Sequence, residues 1–532
     1  MFVGVKRLLG FSRDATTVWR SSLFAVRLVA LVMASVAFSG VLYMTEPAGP
    51  GLQESSASYL GAADALVQGR GLRAPTARWF SPDSESTLTR YPPGYAVALA
   101  LPVAMGLPPA QAARLVEALS AFVAMAVLLA IVGDAAGAGA AALVGLALLV
   151  TPALVDVHLS VLSEPLFLAC MALTLASMVA MPELPIAAGA CAAAALLVRF
   201  TGISAVVAVV LWTLLRRDAW RTRLVRAALG AAPALALAVG AMTVTRGLAT
   251  AVARRLGVHA GLGDALAGAG QTGTLWLAPT AHPVDRMWWL ALPAAVGVIA
   301  MLVVGARRVH RLWRLLPEGL SLESSTTVPQ LLAARVLGAA AVLGGAYAAV
   351  LLSARLFVDG SVMFDYRLLS PLIMLTSVAF AVAAATWWRA ATRGPRVALA
   401  VVLLVWGVAA GGASWRHVHD GLEFGTDLGH EGWRRSEMLD WAHADGARYS
   451  LYSNWPSLAY FYLDRPARGL PESSDAATLR AFADTLAARG GVILAFTAAN
   501  PRYVPSDSLL HVLGLRVLAA YPDGHVLAPA LP

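Results

Sequence analysis

From residue 23 onward the chain is a succession of apolar runs separated by short clusters of arginine. A helix needs about 20 apolar residues to cross a hydrocarbon core of about 30 Å. In lipid each such segment must satisfy its own backbone hydrogen bonds, which only helices and closed barrels achieve. Runs of this length and number therefore predict a multispanning α-helical membrane protein and exclude an ordinary soluble domain. Composition agrees: 58% of the 532 residues are hydrophobic and only 13% charged, against roughly 25% charged in soluble domains.

Taking the runs in order and alternating sides predicts about eleven transmembrane helices. The first covers residues 23–43 and leads outward, leaving 44–111 as a large external loop. Residues 112–132 return, 138–155 go out and 161–179 return. The run 185–215 is split by Arg199 and Gly202 into halves of about 14 residues, each covering only about 21 Å at 1.5 Å per residue. It reads as a hairpin of two short or tilted helices with its tip outside. Spans at 224–244, 287–305, 331–353, 368–388 and 397–412 complete the set.

The arginines test this parity. Arg216, Arg217, Arg221, Arg223 and Arg226, then Arg307, Arg308, Arg311 and Arg314, then Arg389, Arg393 and Arg396 all fall on the side of the N-terminus. Positive charge marks the cytoplasmic side, so residues 1–22, with Lys6, Arg7, Arg13 and Arg20, are expected to be cytoplasmic. Lys6 is the only lysine, so the net charge of +9 is nearly all arginine. Because that charge sits in clusters between apolar runs and forms no continuous basic face, it argues against nucleic acid as a partner. Arg27 lies close enough to the start of the first run to snorkel. A signal peptide's apolar region is about 7 to 15 residues; this run is longer and reads as a retained anchor, although Ala37-Phe38-Ser39 weakly resembles a cleavage site. Cys170 and Cys191 fall in apolar runs and read as small core residues. Arginine- and alanine-rich usage fits a bacterial inner membrane.

After residue 412 no membrane-length run remains and charged residues become frequent. Residues 431–443, 455–463 and 474–489, the last capped by Ser474, read as helices. Residues 449–453 and 492–496 read as strands, and 515–521 with 525–527 as a hairpin through Asp523-Gly524. This predicts a small C-terminal α/β extracytoplasmic domain over 413–532, following a transmembrane domain over 23–412.

Several motifs carry chemistry. In the first external loop Glu54 opens a helix whose apolar positions are Tyr59, Ala62, Ala63, Leu66 and Val67, an interfacial helix with its apolar stripe toward the membrane. The plain role for Glu54 there is a favourable interaction with the helix N-terminus, about 0.3 to 1 kcal/mol. Tyr91-Pro92-Pro93-Gly94-Tyr95 follows, with Pro93 suited to a first helical turn and a second interfacial helix over 96–105. Ser163-Glu164-Pro165-Leu166-Phe167 opens the span at 161–179, with Asp156 and His158 just before it. Three titratable groups at one membrane face are costly and often mark a site. Arg199 sits at the hairpin tip, and Arg355, Asp359, Asp365 and Arg367 surround the external loop before residue 368. The arginine fork matches phosphate oxygens, whereas snorkelling at span ends is the plain reading of Arg355 and Arg367. The glycine-rich stretch 261–273 has no strand before it and does not read as a nucleotide loop. His417, His419 and Asp420 are metal-capable residue types at a junction where solvation is the simpler reading.

Taken together, these residues resemble the GT-C superfamily of membrane glycosyltransferases, in its bacterial branches related to protein O-mannosyltransferase and the lipid A aminoarabinose transferase. The resemblance rests on Glu54-Ser55-Ser56-Ala57-Ser58-Tyr59 with Gln68-Gly69-Arg70-Gly71, Tyr91-Pro92-Pro93-Gly94-Tyr95, Leu162-Ser163-Glu164-Pro165-Leu166-Phe167, Val198-Arg199-Phe200-Thr201-Gly202 and Tyr366-Arg367-Leu368-Leu369-Ser370-Pro371. It implies transfer of a sugar, by inverting hexosyl or pentosyl transfer, from a polyprenyl-phosphate donor to a cell-envelope acceptor (glycan, lipid or protein) at the outer face. It also implies that the acid of the first external loop is the base, by position Glu54. The family residue is commonly Asp about four residues before the tyrosine, whereas Glu54 lies five before Tyr59, so Glu46, Asp83 and Glu85 are the alternatives.

Chemistry supplies the remaining expected roles. A hydroxyl acceptor needs a carboxylate to take its proton, with Glu164 and His158 as secondary site residues. The departing phosphate needs positive charge, from Arg199 and Arg367, with Tyr91 and Tyr366 beside the lipid-phosphate donor. A groove between the short helices of the 185–215 hairpin suits the polyprenyl chain. A divalent metal is left open. A transporter or lipid flippase is the alternative class, expected to carry charge near mid-span and an inverted repeat; a noncatalytic scaffold whose outer domain binds an envelope partner is a third.

Overall fold

The computed structural model describes residues 13–216, 218–244, 257–259, 261–279, 288–315, 328–360 and 362–530. Lys6, Arg7, Arg217 and the first residue of the run 287–305 lie outside them. The chain divides into two compact units. The helical unit comprises Met1–Tyr43, Glu117–His158 and Ser163–His419; the sheet-bearing unit comprises Met44–Val116, Leu159–Leu162 and Asp420–Pro532.

Among the described residues, five helices are long and apolar enough to cross a membrane: Leu23–Met44, Pro109–Ala136, Gln330–Phe357, Tyr366–Ala390 and Arg393–Phe424. A sixth results if Ala138–Val150 and Pro152–Leu159, bent by 64° at their junction, are one span. The bend corrects the continuous span expected over 138–155. Thr151 turns its hydroxyl back onto the Ala147 carbonyl at 2.6 Å, and Pro152 has no N–H to continue the ladder. Shorter apolar helices follow at Glu164–Ala180, Pro185–Val198 and Phe200–Leu214. Trp220–Val244 and Trp288–Leu315 are also helical. The glycine-rich stretch forms a helix, Gly263–Leu277.

Small residues set the helix spacing in this unit. Gly133 lies against Val26, Gly145 against Met33 and Gly189 against the Gly230 carbonyl, all places where a Cβ would collide. Close backbone approach through glycine is a common way for membrane helices to pack, since lipid supplies little hydrophobic drive between them. Arg27 does not simply snorkel: its guanidinium pairs with Asp134 at 2.8 Å.

Among the described residues the sheet-bearing unit holds a six-stranded sheet: β1 (Thr76–Ala77), β2 (Ser450–Ser453), β3 (Ala467–Gly469), β4 (Gly491–Phe496), β5 (Arg516–Tyr521) and β6 (Gly524–Ala528), in the order β1-β3-β2-β4-β6-β5. The first four pair in parallel; β6 runs antiparallel to both β4 and β5. Alternation along β4 explains why the sheet is covered on both faces. Val492, Leu494 and Phe496 pack into a core with Leu451, Leu458 and Val526, while Ile493 and Ala495 pack on the other side with Tyr452, Phe482 and Leu527. Asp475, rather than Ser474, caps the helix Ala476–Ala488 by accepting the Thr478 N–H at 2.8 Å. That bond and the Ser473 hydroxyl lower the Asp475 carboxyl to about 2, the Ser473 bond most. The helix expected over 431–443 is two, Glu431–Arg434 and Glu437–Ala444, the second capped by Ser436.

Glu54 begins a helix, Glu54–Val67, but the interfacial stripe expected for it is not what is observed. Ser55, Ser56 and Ser58 are as buried as Ala62 and Ala63, and Val67 is exposed. The reason is packing on several sides: Pro75 closes onto Gly61 where a Cβ would not fit, and the helices Gly94–Ala104 and Pro456–Leu463 lie against it. Gly94–Ala104 itself buries Tyr95, Ala96, Leu99 and Ala100 and leaves Val97 and Leu101 exposed, with Met105 exposed just past its end, an apolar stripe at helical spacing.

Candidate functional site

Two clusters of charged and polar side chains stand out, one in each unit. In the helical unit the cluster centres on Glu164, whose side chain is only 2% exposed. Glu164 begins the helix Glu164–Ala180, with Pro165 at its first turn. Arg199 occupies an extended link (φ −145°) between Pro185–Val198 and the turn Phe200–Gly202, so its side chain leaves the helix at its end. Arg367 lies in the first turn of Tyr366–Ala390, a helix capped by Asp365, which accepts the Leu368 N–H at 2.9 Å.

These three elements bring both arginines onto one carboxylate oxygen. Arg199 Nη1 stands 2.7 Å from Glu164 Oε1, and Arg367 donates to the same oxygen through Nε at 3.1 Å and Nη2 at 3.0 Å. Ser163 completes the set, accepting from Arg199 at 3.0 Å and donating to Glu164 Oε2 at 3.3 Å. A buried carboxylate holding two guanidiniums fixes their orientation, and isolated buried charge of this kind is tolerated only when paired and hydrogen-bonded. Beside it, Asp156 receives His417 Nε2 at 2.7 Å and a hydrogen bond from Tyr366. His158 is spent differently. Its Nδ1 lies 2.7 Å from the Leu154 carbonyl of its own helix; a carbonyl only accepts, so Nδ1 carries the proton and Nε2 is the acceptor. Arg355 is buried and donates to the Gly261 carbonyl at 2.5 Å.

In the sheet-bearing unit the cluster centres on Glu54. Asn500 Nδ2 donates to Glu54 Oε1 at 2.6 Å and to the Asn454 carbonyl at 2.8 Å. Asn500 is anchored in turn, its Oδ1 accepting the Arg502 N–H at 3.2 Å. Asn454 is locked by bonds to the Phe496 and Ala498 carbonyls and from the Phe496 N–H. Burial pushes the nearby Tyr503 phenol up to about 12; the Arg502 guanidinium opposes that rise and Glu54 adds to it. Tyr91 packs on Tyr59 at 5.1 Å between ring centres, and Arg90 stands over the Tyr91 ring at 5.8 Å.

The alternative acids of the loop are engaged otherwise. Glu46 pairs with Arg114 at 2.8 Å, Glu85 with Arg70 at 2.6 Å and Asp83 with Arg73 at 3.6 Å. Each is an exposed or half-exposed ion pair of the kind worth little, whereas Glu54 is held by an amide that leaves its charge uncompensated by that bond. Asn500 and Asn454 carried no sequence signal: amides of this kind are common, and the Glu54 partnership joins residues 446 apart. Among the described residues no group of three or more His, Cys, Asp or Glu side chains is placed to hold a metal ion.

No protein-family model matches the chain, and no curated protein sequence does. Among solved structures the chain is similar to the arabinofuranosyltransferase AftD from Mycobacteria, with a TM-score of 0.54 and 17% identity over 95% of this chain and 40% of AftD. A mutant of AftD gives a TM-score of 0.50 with 16% identity, over 95% of this chain and 42% of AftD. ArnT from Cupriavidus metallidurans in the apo state matches at a TM-score of 0.42 with 15% identity, over 97% of this chain and 98% of ArnT. The chain spans less than half the length of AftD and shares the fold of that part.

Proposed function

We propose that this protein is a membrane glycosyltransferase that moves a sugar from a polyprenyl-phosphate donor to a cell-envelope acceptor at the outer face of the bacterial inner membrane. The observation that carries the reading is the Glu164 cluster: two guanidiniums held in fixed orientation on one buried carboxylate, on apolar helices. Preorganised positive charge is what a departing phosphate requires, and guanidinium forks fit phosphate oxygens better than ammonium groups do. Arg199 and Arg367 take that role, with Glu164 as the residue that positions them. The fold shared with AftD, an arabinofuranosyltransferase, supports sugar transfer by analogy without naming the sugar.

Glu54 is the base. It accepts the proton of the acceptor hydroxyl as the glycosidic bond forms, and the bond from the sugar to the phosphate oxygen breaks, leaving polyprenyl phosphate. Asn500 holds one oxygen of Glu54 so that the carboxylate meets the acceptor in one orientation. Tyr91 and Tyr366 are the further donor contacts, and His158 is secondary. About eleven spans, with the N-terminus cytoplasmic and residues 413–532 outside, complete the proposal; the shorter apolar helices then cross where the bilayer thins locally or flanking residues snorkel.

The test is turnover. Protein in lipid nanodiscs is given polyprenyl-phosphate sugars and an envelope extract as acceptor, and polyprenyl phosphate release is followed. Glu54→Gln keeps the volume and hydrogen bonding of the side chain but cannot take a proton. Release falls by about 10²- to 10⁴-fold, the usual contribution of a general base, while the melting temperature holds. Equal release by Glu54→Gln and the unaltered protein removes Glu54 from the chemistry.

A further inference from the structure

We propose that a second site, in the sheet-bearing unit, binds a single saccharide ring of neutral or amino-sugar type. A cavity of about 370 Å³ is lined by Asp427, His430, Gly432, Trp433, Thr497 and Asp523, near the lower end of small-molecule sites. It combines one aromatic wall with polar groups of fixed direction, the composition such sites use for orientation and specificity.

The aromatic wall is rigid. Trp433 stands edge-on to Phe496 at 5.3 Å and 85° and packs near Trp455 at 6.5 Å, so its half-buried ring offers the cavity an apolar surface for the C–H face of a sugar. The His430 tautomer is also set. Its Nδ1 accepts the Gly432 N–H at 3.1 Å, so in the neutral ring the proton lies on Nε2, as a donor for a hydroxyl oxygen. The ring is supported by stacking on Phe424 at 6.3 Å.

The two carboxylates are placed by the backbone. Asp427 takes a left-handed conformation (φ 52°), Leu428 N–H bonds to the Leu52 carbonyl at 2.8 Å, and Gln53 Nε2 donates to Asp427 Oδ2 at 3.1 Å. Asp523 takes the Ser436 hydroxyl on Oδ2, and its carbonyl receives the Thr497 N–H at 2.9 Å and the Thr497 hydroxyl at 3.1 Å. Asp427 is exposed, so its carboxylate is the acceptor open to a ligand hydroxyl or ammonium. Two carboxylates and one fixed N–H donor beside an indole select a polyol and repel an anion. The site uses none of Glu54, Glu164, Arg199 or Arg367, so it stands or falls apart from the transfer reaction.

The experiment is saturation-transfer NMR on the whole protein in nanodiscs with three probes: methyl glucoside, methyl glucosaminide and methyl glucuronide. The first two give saturable transfer and the glucuronide gives none. Asp427→Asn replaces one carboxylate oxygen with an amide of nearly the same volume and raises the Kd at least tenfold, about 1.4 kcal/mol. Trp433→Phe weakens both ligands in the same sense and carries the test if Asp427→Asn fails to fold. Absence of saturable binding to the unaltered protein, glucuronide binding equal to glucoside, or unchanged Kd in the folded variants each overturns the proposal.

Discussion

A single carboxylate, Glu164, decides how two arginines are held, and the consequence of losing it can be stated. Removing one partner of a buried ion pair leaves the others uncompensated, at a cost of about 3 to 5 kcal/mol. Glu164→Ala is therefore expected to lower the thermal unfolding temperature of the purified protein clearly, whereas Glu46→Ala, at an exposed pair with Arg114, is expected to leave it nearly unchanged. Equal melting of the two variants would show that Glu164 does not bear that load. At this scale much was legible in the sequence. Glu164, Arg199 and Arg367 stood out because charged groups bunched at one membrane face are costly, and the structure gathers the three. What the sequence could not offer was their mutual partnership, since Glu164 and Arg367 are 203 residues apart, nor the amide of Asn500 on Glu54. His158, expected as a secondary site residue, commits its Nδ1 to the Leu154 carbonyl of its own helix, a bond that proximity in sequence to Glu164 did not reveal.

The turn that presents Arg199 depends on one glycine. Gly202 packs against the backbone of Ala195 and Leu196, where a Cβ would collide with atoms that cannot yield. Gly202→Ala is expected to force apart Pro185–Val198 and Ile203–Leu214 and to destabilise the protein by about 1 to 3 kcal/mol, the usual range for overpacking. Gly139→Ala, where a Cβ would meet open space, serves as the control and is expected to be neutral or mildly stabilising. Thermal melting in one detergent separates them, and a Gly202→Ala protein as stable as the control would contradict this account of the turn. Among elements, the split at Arg199 and Gly202 was readable because a charge and a glycine interrupt an apolar run. The bend at Thr151–Pro152 was not read, because hydropathy registers composition and is blind to a missing N–H. The Glu54 helix was misjudged for a related reason: small residues such as Ser55, Ser58 and Gly61 look polar or neutral in a pattern, yet they are what permits close packing on several sides.

Across the whole chain, apolar runs and arginine clusters pointed to a helical membrane protein, and the strands near 450–453, 491–496, 516–521 and 524–528 were visible from alternation and turn residues. The neighbouring strands Thr76–Ala77 and Ala467–Gly469 were not, because they pair with each other across the chain and strands of two and three residues completed from so far away leave no local signal. The central claim, that this protein acts on a polyprenyl phosphate, is tested most directly by native mass spectrometry of the purified protein offered polyprenyl phosphate and phosphatidylglycerol in equal amounts. The account predicts preferential retention of polyprenyl phosphate, lost in Arg367→Gln and in Arg199→Gln but kept in Glu54→Gln. Retention no better than that of phosphatidylglycerol, or retention indifferent to both arginines, would contradict it.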